Sequence, residues 1–550
     1  MTNYNIGQML AETAAQSPFR PAIVFPVGRD RQGRATTVQL SFAQLNTLCD
    51  RYAHGLSDYG IRQGERVLMM LRPNIDFIAV TFALLKIGAV PILIDPGMGR
   101  TAFLQCVAET EPVAMIGIPL AHVLSRLFPK PFRTIHRRVT AGRRWLWAGV
   151  TLAELQATTD KPFPVAPTTT EDEGAVAFTS GSTGIPKGVV YLHGIFRENL
   201  KIMREAMDFR EGDVHLAGMY IFALFNPALG VTTIIPDMDP RQPAKLNPVY
   251  FVEAIQTHGV TITLGSPTIF RIVNNYCQTN NIHLPSLRHV FMFGAAVPPR
   301  LIEQFSGLLD NGQVHTPFGA TEALPITSIS ETEILGETGM LTEQGAGVCV
   351  GRPLGDAVIR IIPITDEPIA RWDDALALPP GQIGEVVVKG SVVTRNYLNR
   401  PQKTAEAKIY EGDCVWHRMG DIGYFDDQGR LWICGRKSHR VETAAGLLLT
   451  VQCEAIFNQH PAVARTALIG LGSYKQQRPV LIVEMKSGQQ PRSAAQKQQI
   501  IDELLALGAE YAHTRSIQTV LFHPAFPVDV RHNAKIQREK LAVWAGEQVR

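Results

Sequence analysis

The sequence predicts an α/β protein built on parallel sheet, followed by a smaller α+β module. Three observations carry this. Residues 41–94 place Phe42, Leu45, Leu48, Tyr52 and Leu56 on one helical face, then read as strand (67–71), helix (77–87) and strand (90–94) before a Pro-Gly turn. A strand–helix–strand run of this spacing needs a crossover, which a parallel pair requires. Residues 438–550 alternate strand-like runs (464–471, 480–484, 517–522) with a helical stretch (493–507), the pattern of a compact α+β unit. The length of 550 residues exceeds what a single core sustains, so more than one domain is expected.

Composition narrows the class. With 45% hydrophobic and 19% charged residues the chain reads as globular, and a net charge of +3 is too small to imply nucleic acid. Seven scattered cysteines without a C-x-x-C pair argue against structural zinc or a disulfide scaffold and suit a reducing, cytoplasmic setting. The first twenty residues lack the apolar core of a signal peptide. The apolar run 67–95 is interrupted by Arg72, Asp76 and Lys86, so no membrane-spanning segment is expected.

The richest stretch is 173–188, EGAVAF followed by TSGSTGIPKG. A short buried strand ends in a turn where Gly181, Gly184 and Gly188 free the backbone. Thr179, Ser180, Ser182 and Thr183 add hydroxyls, and Lys187 adds a cation. Together they make a cradle for a polyphosphate. The spacing is not that of a Walker A loop. It resembles, residue by residue, the phosphate loop of the adenylate-forming superfamily, which includes acyl-CoA synthetases, luciferases and adenylation domains. The resemblance extends over nearly the whole chain. It implies ATP and Mg²⁺, attack of a substrate carboxylate on the α-phosphate, and transfer of the acyl group to a second nucleophile.

On that resemblance the fold is a large N-terminal domain, residues 1–437, of two parallel-type βαβ subdomains and a small β subdomain (around 384–397). A mobile C-terminal domain, residues 438–550, turns about a hinge at Ser438, where relatives carry Asp or Lys. The stretch 219–230 (MYIFALFNPALG) falls where the family builds its acyl pocket. It offers Tyr220, Phe222 and Phe225 in place of the histidine many relatives have, and Gly265 belongs to the same pocket. Gly294, Ala295 and Ala296 match the segment that lies over adenine, and Thr316, Pro317, Phe318 and Gly319 continue the nucleotide site, with Phe318 replacing a tyrosine. Thr321 is implied to bond the α-phosphate and Glu322 to hold Mg²⁺, a hard cation that favours carboxylate oxygen. Asp421 is implied to accept the ribose hydroxyls, with Arg436 beside it. Lys535 matches the family lysine that reaches the α-phosphate, with Ala534 replacing the usual glycine.

The second step is less direct. The post-hinge stretch 439–446 (HRVETAAG) does not fit a pantetheine-binding signature, and no carrier domain follows Lys535. The wording of DPGMGR (95–100), TPFGATEALP (316–325), GRKSHRV (435–441) and RHNAK (531–535) is similar to the olefin-biosynthesis branch of the superfamily, whose members close β-lactones. That implies a long-chain 2-alkyl-3-hydroxy acid whose own hydroxyl attacks the adenylated carbonyl, with His193 as a base. It also implies a complex with a hydrolase-fold β-lactone decarboxylase and a ketone reductase. A fatty-acyl-CoA ligase is the alternative, and an aryl- or amino-acid-adenylating enzyme is a more remote one.

Residues 126–147 stand apart. Arg126, Lys130, Arg133, Arg137, Arg138, Arg143 and Arg144 occur without an acid among Phe128, Phe132, Trp145 and Trp147. A solvated loop with inward-packed aromatics is the ordinary reading. A surface for a membrane, an acidic partner or nucleic acid is the other, and it supports a third, non-catalytic reading of the chain.

Overall fold

The computed structural model describes residues 3–156, 159–178, 186–528 and 535–549. The expected βαβ unit is present as strand Arg66–Met70, helix Ile75–Ile87 and strand Val90–Leu93. Its sheet, seven-stranded among the described residues, runs Val150–Thr151, Arg137–Thr140, Ala114–Gly117, Arg66–Met70, Val90–Leu93, Glu173–Phe178, Gly188–Leu192. All pairs are parallel until the last, where Phe178 faces Gly188 across an antiparallel pair. The segment that resembles a phosphate loop therefore links two neighbouring strands rather than a strand and a helix.

Helix Ile75–Ile87 explains its own apolar run. Asn74 caps its first turn, accepting from Phe77 N, and Gly88 ends it in the left-handed region at φ 77°. Every residue from Phe77 to Ile87 is buried, so the helix shows no polar face. That burial includes Lys86, whose Nζ lies 2.5 Å from Asp50 Oδ1 and 2.7 Å from Asn46 Oδ1 on helix Phe42–Asp58.

A second sheet, fourteen-stranded among the described residues, takes in the remaining strands up to Arg436. Its parallel half holds Thr232–Ile234, Val214–Ala217, Ile262–Gly265, His289–Met292 and Gln313–Ala320. From Gln313–Ala320 onward the pairing turns antiparallel, through Ala323–Ser330, Val348–Pro353, Leu431–Arg436, Cys414–Phe425, Gly384–Lys389 and Val358–Ile362. The second parallel region and the β-rich region thus run on into one hydrogen-bonded sheet. The hairpin Pro21–Arg29/Ala35–Ser41 precedes the first sheet in sequence yet pairs with Thr232–Ile234 of the second. Nothing in the local pattern of residues 21–41 announces that partner.

Past Arg436 the chain forms a hairpin (Val441–Thr443, Gly446–Leu448) and a three-stranded sheet (Val463–Leu471, Arg478–Met485, Thr519–Phe522), with helices Thr450–Phe457, Ala494–Ala509 and Arg538–Gln548. Two apolar clusters serve this region alone, one around Phe457, Leu468 and Leu504, the other around Ile482, Phe526 and Leu541. No described helix is long and apolar enough to cross a membrane.

Candidate active site

The two sheets and the C-terminal region enclose one cavity of about 1550 Å³. Thr321 and Glu322 form the two-residue tip of the hairpin Gln313–Ala320/Ala323–Ser330, with Ala320 facing Ala323. Glu322 is nevertheless 8% exposed, because residues 393–398 fold over it. Thr394 donates to the Glu322 carbonyl from both its N (2.9 Å) and its hydroxyl (3.0 Å). Leu398 N donates to Gly188 O at 2.8 Å, so the same segment stitches the hairpin tip to the strand that follows the phosphate-loop segment.

Tyr397 sits at this seam. Its hydroxyl donates to Glu322 Oε1 at 2.5 Å and accepts from Lys187 Nζ at 3.2 Å, with the ammonium 4.2 Å above its ring. Burial, then the Glu322 charge, pushes the phenol far above its ordinary range, so it is a firm donor. Burial lowers the Lys187 ammonium, with the Glu322 charge opposing. Behind Glu322 lies Lys408, fully buried, whose ammonium donates to the Thr394 carbonyl and is pushed down to about 7 by burial. Tyr191 donates to the Thr321 carbonyl at 2.5 Å. Tyr397 closes the β-rich stretch 384–397 with no role signalled for it, and Lys408 lies just past that stretch.

Asp421 and Arg436 are directly opposite one another on neighbouring antiparallel strands. Arg436 Nη1 donates to Asp421 Oδ2 at 2.8 Å. Burial raises the Asp421 carboxyl above its usual range, against the charges of Arg436 and Lys535. Lys535, from the C-terminal region, is therefore near enough to act on Asp421 electrostatically, and it lines the cavity. Gly294 (φ 92°), Ala295, Ala296, Thr316, Pro317, Phe318, Gly319, Thr321, Glu322 and Lys187 line the same space. A Cβ at Gly319 would come within 2.6 Å of Ala323 O, so this strand position requires glycine.

The apolar end is more aromatic than its sequence motif. Tyr220, Phe222 and Phe225 all line the cavity from a 3₁₀ turn, Tyr220–Leu224, and the helix after it. Phe77 meets Tyr220 edge-on at 5.4 Å, Phe293 meets Phe222 at 5.0 Å, and Phe196 bridges Phe225 (6.0 Å) and Tyr191 (5.8 Å). Such pairs each contribute about 1 kcal/mol beyond burial and fix the wall's shape.

Some expected residues lie elsewhere. Gly265 is not on the cavity wall; it packs against Phe270, 3.1 Å from a Cβ placed there, while its neighbour Leu264 lines the space. His193 is completely buried, off the wall, and neither ring nitrogen has a hydrogen-bond partner among the described residues. Burial pushes it down to about 4. The wall carries another imidazole, His439, also pushed down to about 4 by burial and by Arg538 and Arg436. Thr179, Ser180, Gly181, Ser182, Thr183 and Gly184 lie outside the described residues. Ser438 falls within the 3₁₀ turn Lys437–His439. Lys437 is anchored to Glu385 at 2.9 Å, and Arg440 reaches Asp366 at 2.5 Å and Glu442 at 2.6 Å.

Among the described residues no three carboxylate, imidazole or thiol groups converge on a metal position. Glu322, on the cavity wall, would share a Mg²⁺ with nucleotide oxygens, which is how this ion usually enters phosphoryl sites.

Lys187, a carboxylate at a hairpin tip and a lysine from a second region line one cavity, an arrangement that suits an enzyme activating acids with a nucleotide. The chain belongs to the AMP-binding enzyme family, which it matches over residues 10–398. It is 46% identical to the olefin β-lactone synthetase of Stenotrophomonas maltophilia (strain K279a), over 99% of this chain and 98% of that one. It is 45% identical to the olefin β-lactone synthetase of Xanthomonas campestris pv. campestris over the same shares. Among solved structures, the amide bond synthetase McbA of Marinactinospora thermotolerans superposes with a TM-score of 0.78 at 21% identity, covering 98% of this chain and 99% of that one.

Proposed function

We propose that the chain is an ATP-dependent, AMP-forming olefin β-lactone synthetase that acts on a long-chain 2-alkyl-3-hydroxy acid. The observation that carries this reading is one continuous cavity joining Glu322, Asp421, Arg436 and Lys535 to an aromatic, apolar wall, in a chain 46% identical over its length to a β-lactone synthetase. ATP is the co-substrate, and Mg²⁺ arriving with it would neutralise phosphate charge beside Glu322.

The residues divide the work. Asp421 and Arg436 hold the ribose, while Gly294, Ala295 and Ala296 leave room for the flat base. Lys187 faces the departing pyrophosphate. Tyr397 fixes the distance between Lys187 and Glu322. The substrate carboxylate attacks the α-phosphate, pyrophosphate leaves, and Lys535 offsets the charge that builds between the two groups. In the second step the β-hydroxyl oxygen bonds to the acyl carbon, the acyl–phosphate bond breaks, and AMP departs. The hydroxyl proton passes to a neutral imidazole or to the leaving phosphate, and His439 is the imidazole on the wall. Because both reacting groups belong to one bound molecule, no second substrate has to be ordered. A fatty-acyl-CoA ligase would use the same first step and close with a thiol.

Residues 1–437 and 438–550 are read as two domains turning about Ser438, with Lys535 delivered by the closed arrangement. The pathway complex with a β-lactone decarboxylase and a ketone reductase belongs to this reading as well. Lys535→Ala tests the first step. ATP–pyrophosphate exchange driven by the hydroxy acid should fall about 100-fold or more while nucleotide affinity changes little. Unchanged exchange removes Lys535 from the chemistry.

A further inference from the structure

The basic segment does not act as one surface. Arg137 and Arg138 lie in strand Arg137–Thr140 and are half-buried, Arg137 against Glu65 and Arg138 bonding Ser125 Oγ at 2.8 Å. Arg144 donates to the Gly149 carbonyl and stands 3.9 Å from Glu154. Phe132 and Trp147 pack inward; the Trp147 indole N–H bonds Thr140 Oγ1 at 2.9 Å and its ring stacks on His122 at 5.1 Å.

The remaining residues face out. Arg126, Lys130, Arg133 and Arg143 are exposed and have no ion pair among the described residues. Leu146 is 94% exposed and Trp145 58%. Trp145 rests 5.5 Å from Trp147, the ring that stacks on His122 of helix Pro119–Leu127. That helix buries Ala121, His122 and Ser125, and turns Leu120, Val123, Leu124 and Leu127 the other way. These four line the acyl cavity, yet Leu120 and Leu127 are 68% and 69% exposed. The cavity therefore opens between them, with Arg72 and Asp95 also on its wall, and Arg126 is carried by the same helix.

We propose that helix Pro119–Leu127, the turn after it and residues 142–146 form a docking surface for an anionic lipid bilayer, onto which the acyl cavity opens. Charge complementarity selects the occupant. Four unpaired cations meet the negative headgroups, the leucines and Leu146 enter the acyl boundary, and Trp145 sits at the interface. An acidic protein would satisfy the cations but leave an apolar opening facing it. The chain's net charge of +3 makes this a local feature and not general basicity. The proposal goes beyond the β-lactone reading and leans on it only for purpose, since a long-chain acid resides in lipid. A bilayer at the opening lets that acid enter without crossing water.

Co-sedimentation with phosphatidylcholine vesicles, with and without phosphatidylglycerol, reads binding without turnover, so its failure is distinct from failure of the catalytic reading. The chain should partition at least tenfold more strongly onto phosphatidylglycerol-containing vesicles, and less so at high salt. The combined variant Arg126→Gln, Lys130→Gln, Arg133→Gln, Arg143→Gln should lose more than tenfold, since each surface cation contributes about fivefold. A second variant, Trp145→Ser with Leu146→Ser, should weaken binding while keeping its preference for anionic lipid. Both should release AMP normally from a short, water-soluble 3-hydroxy acid, which reports an intact fold. Equal binding to both vesicle types, or undiminished binding by the fourfold variant, overturns the proposal. So does retention on polyglutamate without binding to vesicles, which would point to an acidic protein instead.

Discussion

Glu322 and Lys187 come from different sheets, and one phenol holds them together. The Tyr397 hydroxyl spends its single proton on Glu322 and its lone pair on Lys187. Tyr397→Phe keeps the ring and the cation–π contact, and removes both hydrogen bonds. Charge-assisted bonds of this kind contribute roughly 1.5–3 kcal/mol. Turnover should fall about tenfold to a hundredfold while the melting temperature drops by a few degrees at most, measured as kcat/KM for AMP release beside a melting curve. Wild-type turnover would mean that Lys187 and Glu322 position themselves. At this scale the sequence was most legible where a side chain was expected to meet the ligand directly: Glu322, Asp421, Arg436 and Lys535 all line the cavity. It was least legible where a residue works through another. Tyr397 and Lys408 act across roughly 75 to 85 residues of chain, a separation no local pattern encodes. His193 was singled out by position, yet its ring is sealed off from the cavity wall while His439 is on it.

Among elements, helix Ile75–Ile87 was readable because its run of apolar residues ends in a C-cap glycine, and strand Glu173–Phe178 because it ends at the glycine-rich segment. Lys86 looked like an interruption of that run. Its partner Asp50 lies on helix Phe42–Asp58, so the structure turns an apparent flaw into a buried ion pair. Asp50→Ala would strand the ammonium in apolar surroundings, at a cost of roughly 3–5 kcal/mol. Urea unfolding should show that loss as a lower midpoint at unchanged slope. A loss under 1 kcal/mol would show that water reaches Lys86. The basic stretch 126–147 divides for a related reason. Arg137 and Arg138 belong to a strand whose edges are covered, whereas Arg126 and Arg143 flank it in solvent, and composition alone treats all of them alike.

Across the whole molecule, the continuity of the second sheet escaped sequence reading. The hairpin of residues 21–41 joins it by pairing Ile23 with Thr233, and Val348–Pro353 joins Leu431–Arg436 by pairing Val348 with Ile433, separations set by burial of shared faces and not by local propensity. Burial also fixes the response to acid. His193, His215, His315 and His439 are each pushed down to about 4, from an ordinary 6.5. Between those values the unfolded chain binds protons that the folded chain refuses. Stability is therefore complete above about 6.5 and is lost as pH falls toward 4, by roughly 1.4 kcal/mol per pH unit for each histidine. Urea midpoints should drop clearly between pH 7 and pH 5. Equal midpoints would mean that these imidazoles find proton acceptors in the fold.

The central claim concerns the second nucleophile, and product analysis meets it directly. ATP and a racemic 2-alkyl-3-hydroxy fatty acid are supplied with and without CoA, AMP is quantified, and the acyl product is identified by NMR. AMP and a β-lactone formed in the absence of CoA are the predicted result. AMP formed only when CoA is present, with a thioester as product, would contradict the account and make the chain an acyl-CoA ligase.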